Sequence, residues 1–477
     1  MSIRPVIAGL EAILGPTAVS QDPAELHHWG RDWTRSDTPA PWAVCWPKST
    51  AEVAATLRWC REHGVPVVPS GGRTGLAGGA MAIWGELVLS LDRLRFLGQV
   101  DVLNRSVSVG AGVPNQVLQD HCAPHGLWWP VDLASKGSAT IGGNLATNAG
   151  GLRVVRYGHA RRWLLGLEAV GADGQILCEE RALHKDNSGT DLGQLLIGSE
   201  GTLAVITAAT LQLAALPGPT TVALLACPSM EAVLQVLGQV RKHGLDLHAF
   251  EVFSDFCLTS VVAHTGVPRP LKGRAPYYTL VEFGAERGDD LGGKSSGGTH
   301  HPTIRYCTDQ WLSEITRSGA AVDGTLAFDP RSALQLWAYR ERITESLQAS
   351  TPRKNDISVP VSQLAAFTEA LQQWLAQARP GWEVALFGHV GDGNLHLNTL
   401  RPSGMDMAEF QQHCDVADAQ LYKLVASYRG SISAEHGIGL IKKRWLPMFR
   451  TPAELQAMAA VKNALDPAGM LNPGKVL

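Results

Sequence analysis

The sequence predicts an α+β protein of two main domains, about 1–215 and 216–425, followed by a C-terminal segment, about 426–477. Three observations carry this. At 477 residues the chain exceeds what one ordinary hydrophobic core organises. Before residue 205, three glycine-rich stretches interrupt strand-like runs, as happens where backbone must approach a ligand closely. After about residue 216, strand-like and helical runs alternate in the manner of an antiparallel sheet covered by helices.

The elements follow in order. Residues 1–40 read as helical and then loop-like, with Trp29 and Trp33 as anchors. AVCWPKSTAEVAATLRWCREHGVPVVPSGG reads strand, helix, strand; Ser49 or Thr50 caps the helix and Gly64 ends it before Pro66. ELVLSLDRL and RSVSVGAGV are strands, and PNQVLQDHCAPHG is an amphipathic helix. LLGLEAVGADGQIL is a hairpin, and GTLAVITAATLQL a long strand. Next come VALLACPSMEAVLQVLGQVRKHG as strand then helix, and YYTLVEFGA as strand. GAERGDDLGGKSSGGTHHP reads as a polar surface loop. RSALQLWAYRERITESLQA has helical period until Thr351-Pro352 stops it. Another helix ends at Gly430, and the tail holds helical AELQAMAAVKNALD before extended PAGMLNPGKVL. There is no internal repeat.

A net charge of −3 gives no footprint for nucleic acid or an anionic membrane. The eight cysteines are dispersed without a CxxC pair, which fits a reducing compartment and buried structural roles. The start lacks a signal-peptide layout and no apolar run reaches transmembrane length, so a cytoplasmic enzyme is expected.

PSGGRTGLAGGA, residues 69–80, follows the strand VPVV directly. Its unhindered N–H groups suit a pyrophosphate nest, although it is neither GxGxxG nor a Walker motif; a plain surface loop is the other reading. PVDLASKGSATIGGNLATNAGGLRVVRYG, residues 130–158, places Ser138, Thr140, Asn144 and Asn148 among glycines, and IGSEGTLAVIT, residues 197–207, is a third such region. Three together suit an extended dinucleotide gripped along its length.

In FGHVGDGNLHLN, residues 387–398, a four-residue loop Gly391–Asn394 predicts Val390 opposite Leu395 and His389 opposite His396, with Cβ atoms about 5 Å apart. Asn398 then shares the face of His396. Such a pair could hold one metal ion or form a histidine pair on a solvated sheet face. In GSISAEHGIGLIKKRW, Glu435 and His436 read as a third ligand and neighbour, or as a helix start. Arg340 and Thr344 lie four apart, on one helix face, with Lys354 beyond the helix stop. They suit a carboxylate. The other reading is a solvated helix with Arg340 and Arg342 paired to Glu341 and Glu345.

The three glycine-rich regions together resemble the FAD-binding domain of the vanillyl-alcohol oxidase-type flavoproteins, a two-part domain. The resemblance implies that Pro69, Ser70, Gly71, Gly72, Arg73, Thr74 and Gly75 cradle pyrophosphate. Pro130, Ser138, Gly142, Gly143, Asn148 and Gly151 would line the flavin, and Glu200, Gly201 and Val205 would complete the site. The first loop carries Arg73-Thr74 and no histidine or cysteine, so non-covalent FAD is expected.

GHVGDGNLHLN with SAEHGIG resembles the C-terminal domain of FAD-linked D-2-hydroxyacid dehydrogenases, and the likeness runs from about residue 40 to the end. It implies that His389, His396 and Glu435 bind zinc or manganese and that His436 is substrate-binding and the base. The tail would bring Glu435, His436 and Asn472 back to the flavin, whose N5 takes the hydride. Around Arg340 the chain resembles D-2-hydroxyglutarate dehydrogenases more than D-lactate or glycolate enzymes; there the positions matching Arg340, Thr344, Lys354 and Asn398 contact substrate. Where that group has Lys-Tyr-Asp, this chain has Lys354-Asn355-Asp356, so D-malate stays open beside D-2-hydroxyglutarate. An oxidase of the same family and a non-catalytic flavin-binding protein are the rivals. An electron-transfer flavoprotein or a quinone as acceptor, and a homodimer, are options the sequence leaves open.

Overall fold

A computed structural model describes residues 3–34, 37–178, 181–284 and 304–477. The polar loop expected at 284–302 lies, apart from Gly284, outside the described residues. The chain divides into two compact units. The first gathers Met1–Gly151, Tyr157–Leu216 and Glu435–Leu477; the second gathers Leu152–Arg156 and Pro217–Ala434.

The strands of the first unit are β1 (Val19–Ser20), β2 (Ala43–Cys45), β3 (Val67–Ser70), β4 (Leu87–Ser90), β5 (Ser106–Gly110), β6 (Leu127–Trp128), β7 (Leu164–Val170), β8 (Ile176–Cys178), β9 (Val205–Gln212) and β10 (Ala214–Ala215). They form two four-stranded sheets, β1-β2-β4-β3 and β5-β9-β7-β8, and the short pair β10-β6. In the first sheet β2, β4 and β3 are parallel, as the strand–helix–strand reading of AVCWP…VPVV requires. The connecting helix Thr50–His63 is capped by Ser49, whose Oγ accepts the Glu52 N–H at 3.2 Å, and ends at Gly64 with φ 66°. Its apolar side, Val53, Leu57 and Cys60, packs with Val67, Leu87 and Leu89, and the tail adds Met470 and Leu471 to the same core. The second sheet is antiparallel; Val107, Val109, Leu167, Ile206 and Leu211 enclose Ile141 and Leu145. Two sheets with two cores make the two-part organisation.

The second unit is one antiparallel sheet in the order β14-β11-β13-β12-β16-β17-β15. Its strands are β11 (Thr220–Cys227), β12 (Asp246–Ser254), β13 (Tyr277–Gly284), β14 (Asp323–Ala327), β15 (Arg353–Ser358), β16 (Val384–Gly388) and β17 (Asn394–Thr399). Both faces are covered. On one, Phe253, Tyr278, Leu280 and Phe387 pack with the helices Asp255–Thr265 and Pro330–Glu341. On the other, Phe283 meets Trp311 of the helix Ile304–Arg317 edge-on at 5.5 Å, and Asn355 bonds to Asp418 and Tyr422 of the helix Met407–Ser427. Among the described residues no helix is long and apolar enough to cross a membrane. Cys45, Cys60, Cys122, Cys227, Cys257, Cys307 and Cys414 are free, and all of them but half-buried Cys307 are buried.

Candidate active site

In the first unit, β3 ends at Ser70 and the chain turns through the 71–80 loop. The glycines there are dictated by contact. A Cβ on Gly71 would sit 2.6 Å from Thr140 Oγ1, and one on Gly72 would run into the Ser138 carbonyl. Gly142 abuts Ala111 and Gly151 abuts the Asp132 carbonyl in the same way. Arg73, Asn148, Glu200 and Asn472 are non-glycine residues in the left-handed region, with φ of 55°, 49°, 52° and 44°. Such strain gathers at ligand sites. Ser70 Oγ, Arg73 Nη1, Thr140 Oγ1 and Asn472 Oδ1 are buried polar atoms with no hydrogen-bond partner among the described residues. Arg73 stacks its guanidinium 3.7 Å from the Trp29 ring centre and reaches His28 Nε2 at 3.1 Å.

Two of the expected cofactor residues also knit this unit together. Glu200 accepts the N–H groups of Ile438 and Gly439 at 2.7 and 2.8 Å. Burial raises its carboxyl above the ordinary value although those amides pull the other way. Asn472 Nδ2 donates to the carbonyls of Gly79 and Glu200. Pro69 lies against Gly201, and Pro130 and Val205 are buried, whereas Ser138 is exposed.

In the second unit, one end of the sheet face that carries Phe253 and Phe387 turns polar. Asp356 pairs with His396 and Lys354 with Asn398 across β15–β17, and directly paired residues share a face. The histidine hairpin has a different register from the expected one. Phe387, not His389, opposes His396, so the turn begins two residues earlier. A shift of two keeps every side chain on its face. The imidazoles therefore still meet, with ring centres 5.3 Å apart and Nε2 atoms 3.5 Å apart. Two nitrogens bound at about 2.0–2.1 Å to one tetrahedral metal stand about 3.4 Å apart.

A buried carboxylate orients the His389 ring, and a second lies near His396. Glu251 Oε1 accepts from His389 Nδ1 at 2.6 Å, which fixes the tautomer and leaves the Nε2 lone pair directed at His396. Asp356 Oδ1 lies 3.6 Å from His396 Nδ1. Burial works against the Glu251 charge, but His389 and Arg340 outweigh it and hold the carboxyl below its ordinary value.

The helix bearing Arg340 breaks at Arg342, so Pro330–Glu341 and Ile343–Ser346 are separate. Arg340 is buried, its Nε donating to Glu251 Oε2 at 2.7 Å and its guanidinium 4.9 Å from the Phe387 ring centre. Thr344 is exposed beyond the break. The shared-face expectation for Arg340 and Thr344 thus does not hold, and neither does the solvated-helix alternative for Arg340. Lys354 is not loop but strand, half-buried beside Asn398, and burial lowers its pKa. Glu435 and His436 do not start a helix; they lie on irregular backbone, carboxylate to ring at 3.5 Å. The residue before them, Ala434, donates its N–H to Asp356 Oδ2 at 3.1 Å.

Comparison with known proteins decides the family. Residues 216–476 match the C-terminal domain of FAD-linked oxidases, and residues 41–178 match an FAD-binding domain. The chain belongs to the FAD-linked oxidases. It is 44% identical to a D-2-hydroxyglutarate dehydrogenase of Xanthomonas citri pv. viticola, over 99% of this chain and 97% of that one. It is 40% identical to a protein of the same name from Stutzerimonas stutzeri, over 99% and 98%. Against the mitochondrial D-2-hydroxyglutarate dehydrogenase of Bos taurus it is 38% identical, over 99% and 83%. Among solved structures, 4-ethylphenol oxidase from Gulosibacter chungangensis superposes with a TM-score of 0.76 at 17% identity, covering 99% of this chain and 97% of that one. p-Cresol methylhydroxylase gives 0.74 at 13%, covering 99% and 96%. These confirm the α+β flavoprotein fold, and this FAD-linked oxidase is an FAD-dependent dehydrogenase. The glycine cradle and its unpartnered polar atoms fit FAD.

Sequence reasoning missed Glu251, the carboxylate that orients His389, and Asp356, the carboxylate beside His396. Glu251 was visible as one acid inside the apolar run HAFEVF, and Asp356 as one acid in a strand directly after Lys354-Asn355.

Proposed function

We propose that this FAD-linked oxidase converts D-2-hydroxyglutarate to 2-oxoglutarate, with His389, His396 and Glu435 holding zinc or manganese and His436 as base. The observation that carries the reading is the sheet face that sets the His389–His396 pair beside Lys354, Asn398 and Arg340. The names of the relatives, D-2-hydroxyglutarate dehydrogenase, support the substrate.

His389 turns Nε2 inward because Glu251 holds Nδ1. Lys354, Asn398 and the terminal nitrogens of Arg340 receive the distal carboxylate, which D-lactate lacks. His436 accepts the hydroxyl proton, a task suited to an imidazole near neutral pH. A divalent cation on these ligands would lower the hydroxyl pKa and orient the acid. FAD, held by the loop of residues 69–75, would supply the hydride acceptor.

The test is anaerobic. Holoenzyme loaded with zinc or manganese is mixed with D-2-hydroxyglutarate, its L-enantiomer, D-malate or D-lactate, and the flavin absorbance near ~450 nm is followed. Bleaching by D-2-hydroxyglutarate alone, lost on chelation and in His389→Ala, supports the proposal. Bleaching by D-lactate alone removes the carboxylate role of Arg340 and Lys354. No bleaching by any of the four sinks the substrate assignment.

A further inference from the structure

The first unit keeps a buried cation that makes no hydrogen bond to its described residues. Lys475 is 3% exposed, and its Nζ has no hydrogen-bond partner among the described residues. A buried ammonium with no hydrogen-bond acceptor is strongly unfavourable, and an acceptor oxygen in contact would relieve it. Two carboxylates lie within electrostatic reach, Asp32 and Glu86. Glu86 Oε1 is itself buried without a hydrogen-bond partner among the described residues, and the amides of Gly78 and Ala80 face the Asp32 carboxylate. Asp32 Oδ1 and Glu86 Oε2 are occupied, by the Thr34 amide and hydroxyl and by the Trp84 amide. Lys443, on the same tail, turns away to the Gly474 carbonyl.

This group of charges belongs to the glycine cradle. Asp32 Oδ2 lies 3.8 Å from where a Cβ of Gly75 would sit. Asn472, three residues before Lys475, donates to the Gly79 carbonyl at 2.8 Å. Val476, the next residue, donates to Gly439, whose neighbour Leu440 donates to the Ala77 carbonyl. Lys475 is thereby pinned from both sides against residues 75–80. That loop brings only one other cation, Arg73, whose guanidinium is partly committed to Trp29 and His28.

We propose that Lys475 is a cofactor-binding residue, its ammonium pairing with the pyrophosphate of FAD. The inference rests on residues 69–75 being the pyrophosphate cradle. It has a pH signature. Burial holds Lys475 down to about 8, with Glu86 and Asp32 opposing the shift. A phosphate oxygen beside it favours the charged form and raises that value. FAD affinity is therefore full below pH 8 and falls as pH rises past it.

FAD fluorescence released on dilution of the holoenzyme, read from about pH 6.5 to 9.5, tests this. In the native protein, release grows above pH 8. Lys475→Arg keeps the affinity and flattens the profile. Lys475→Met weakens FAD about ten- to hundredfold at pH 7, also with a flat profile, while the Tm of the flavin-stripped protein does not fall. Native affinity in Lys475→Met overturns the proposal. So does a parallel loss of stripped-protein Tm and affinity with the pH profile unchanged, which would make Lys475 structural. Arg73→Gln separates the two levels. If it weakens FAD and Lys475→Met does not, the lysine assignment alone fails. If neither variant weakens FAD, the cradle assignment fails with it.

Discussion

In the first unit the groups set around the glycine-rich loops are mostly backbone; in the second, the groups set around the histidines are side chains. The difference shows in what is left over. Around Gly71, Gly72 and Gly142 the close approach of neighbouring atoms requires the missing Cβ, and Ser70, Thr140 and Asn472 keep polar atoms unpartnered among the described residues. At His389 the orientation comes from a buried carboxylate, Glu251, which serves both His389 and Arg340. A backbone cradle is defined by shape and fails when a methyl group intrudes. A side-chain site is defined by charge and fails when one partner is removed.

Four variants would break or sharpen that contrast. Gly72→Ala drives a methyl group into the Ser138 carbonyl. It should abolish retention of FAD through purification while leaving divalent-metal binding intact, read as flavin-to-protein absorbance and metal content. Loss of both would show that the two regions are not separable.

Glu251→Gln removes one charge of a fully buried pair, at a cost of about 3–5 kcal/mol in stability. Metal affinity should fall about 10- to 100-fold, because the His389 tautomer is no longer fixed. The Glu251 carboxyl is held below its ordinary 4.5 in the fold, so its stabilisation is present above that value and lost as pH falls below it. Urea unfolding between about pH 3 and 7 should show a flatter acid limb in the variant than in the native protein.

Lys354→Met should raise KM for a dicarboxylate substrate about 10- to 100-fold and leave kcat little changed. Since burial lowers the Lys354 pKa from 10.5, native KM should begin to climb at a pH below that of an ordinary lysine. An equal rise for D-lactate would assign Lys354 to the reacting carboxylate instead.

Asn148→Gly is the mildest. Asn148 sits at φ 49° and accepts the Arg161 amide through Oδ1 at 3.1 Å. Glycine relieves the backbone and forfeits the bond, so stability should change by no more than about 1 kcal/mol and FAD affinity should hold. A marked loss of FAD would show that here the side chain, not the backbone, is recognised.

The fold was legible where local chemistry is strict. Ser49 and Gly64 bound their helix as capping rules require, and the antiparallel sheet followed from the alternation after residue 216. The glycine loops were legible because only glycine tolerates those contacts. The histidine hairpin was legible in its result but not its register. The GDGN turn does not say whether Gly388 pairs with Leu395, yet period-two alternation makes a two-residue slip harmless. The break at Arg342 was not legible, because RERITES continues the helical period through it. Glu251 was missed because its partners lie 89 and 138 residues away. Local sequence carries no trace of such pairs.

The parallel bridge between Leu471 and Val67, with the Asn472 side chain on the Gly79 carbonyl, joins positions 393 residues apart in the second contact. On the ribosome, that separation is about 20–80 s of synthesis at 5–20 residues per second. The glycine cradle is thus translated early and finished last. Until residues 471–475 are made, β3 lacks its tail neighbour and Gly79 its side-chain donor, so the loop is completed only after the whole second unit has been synthesised.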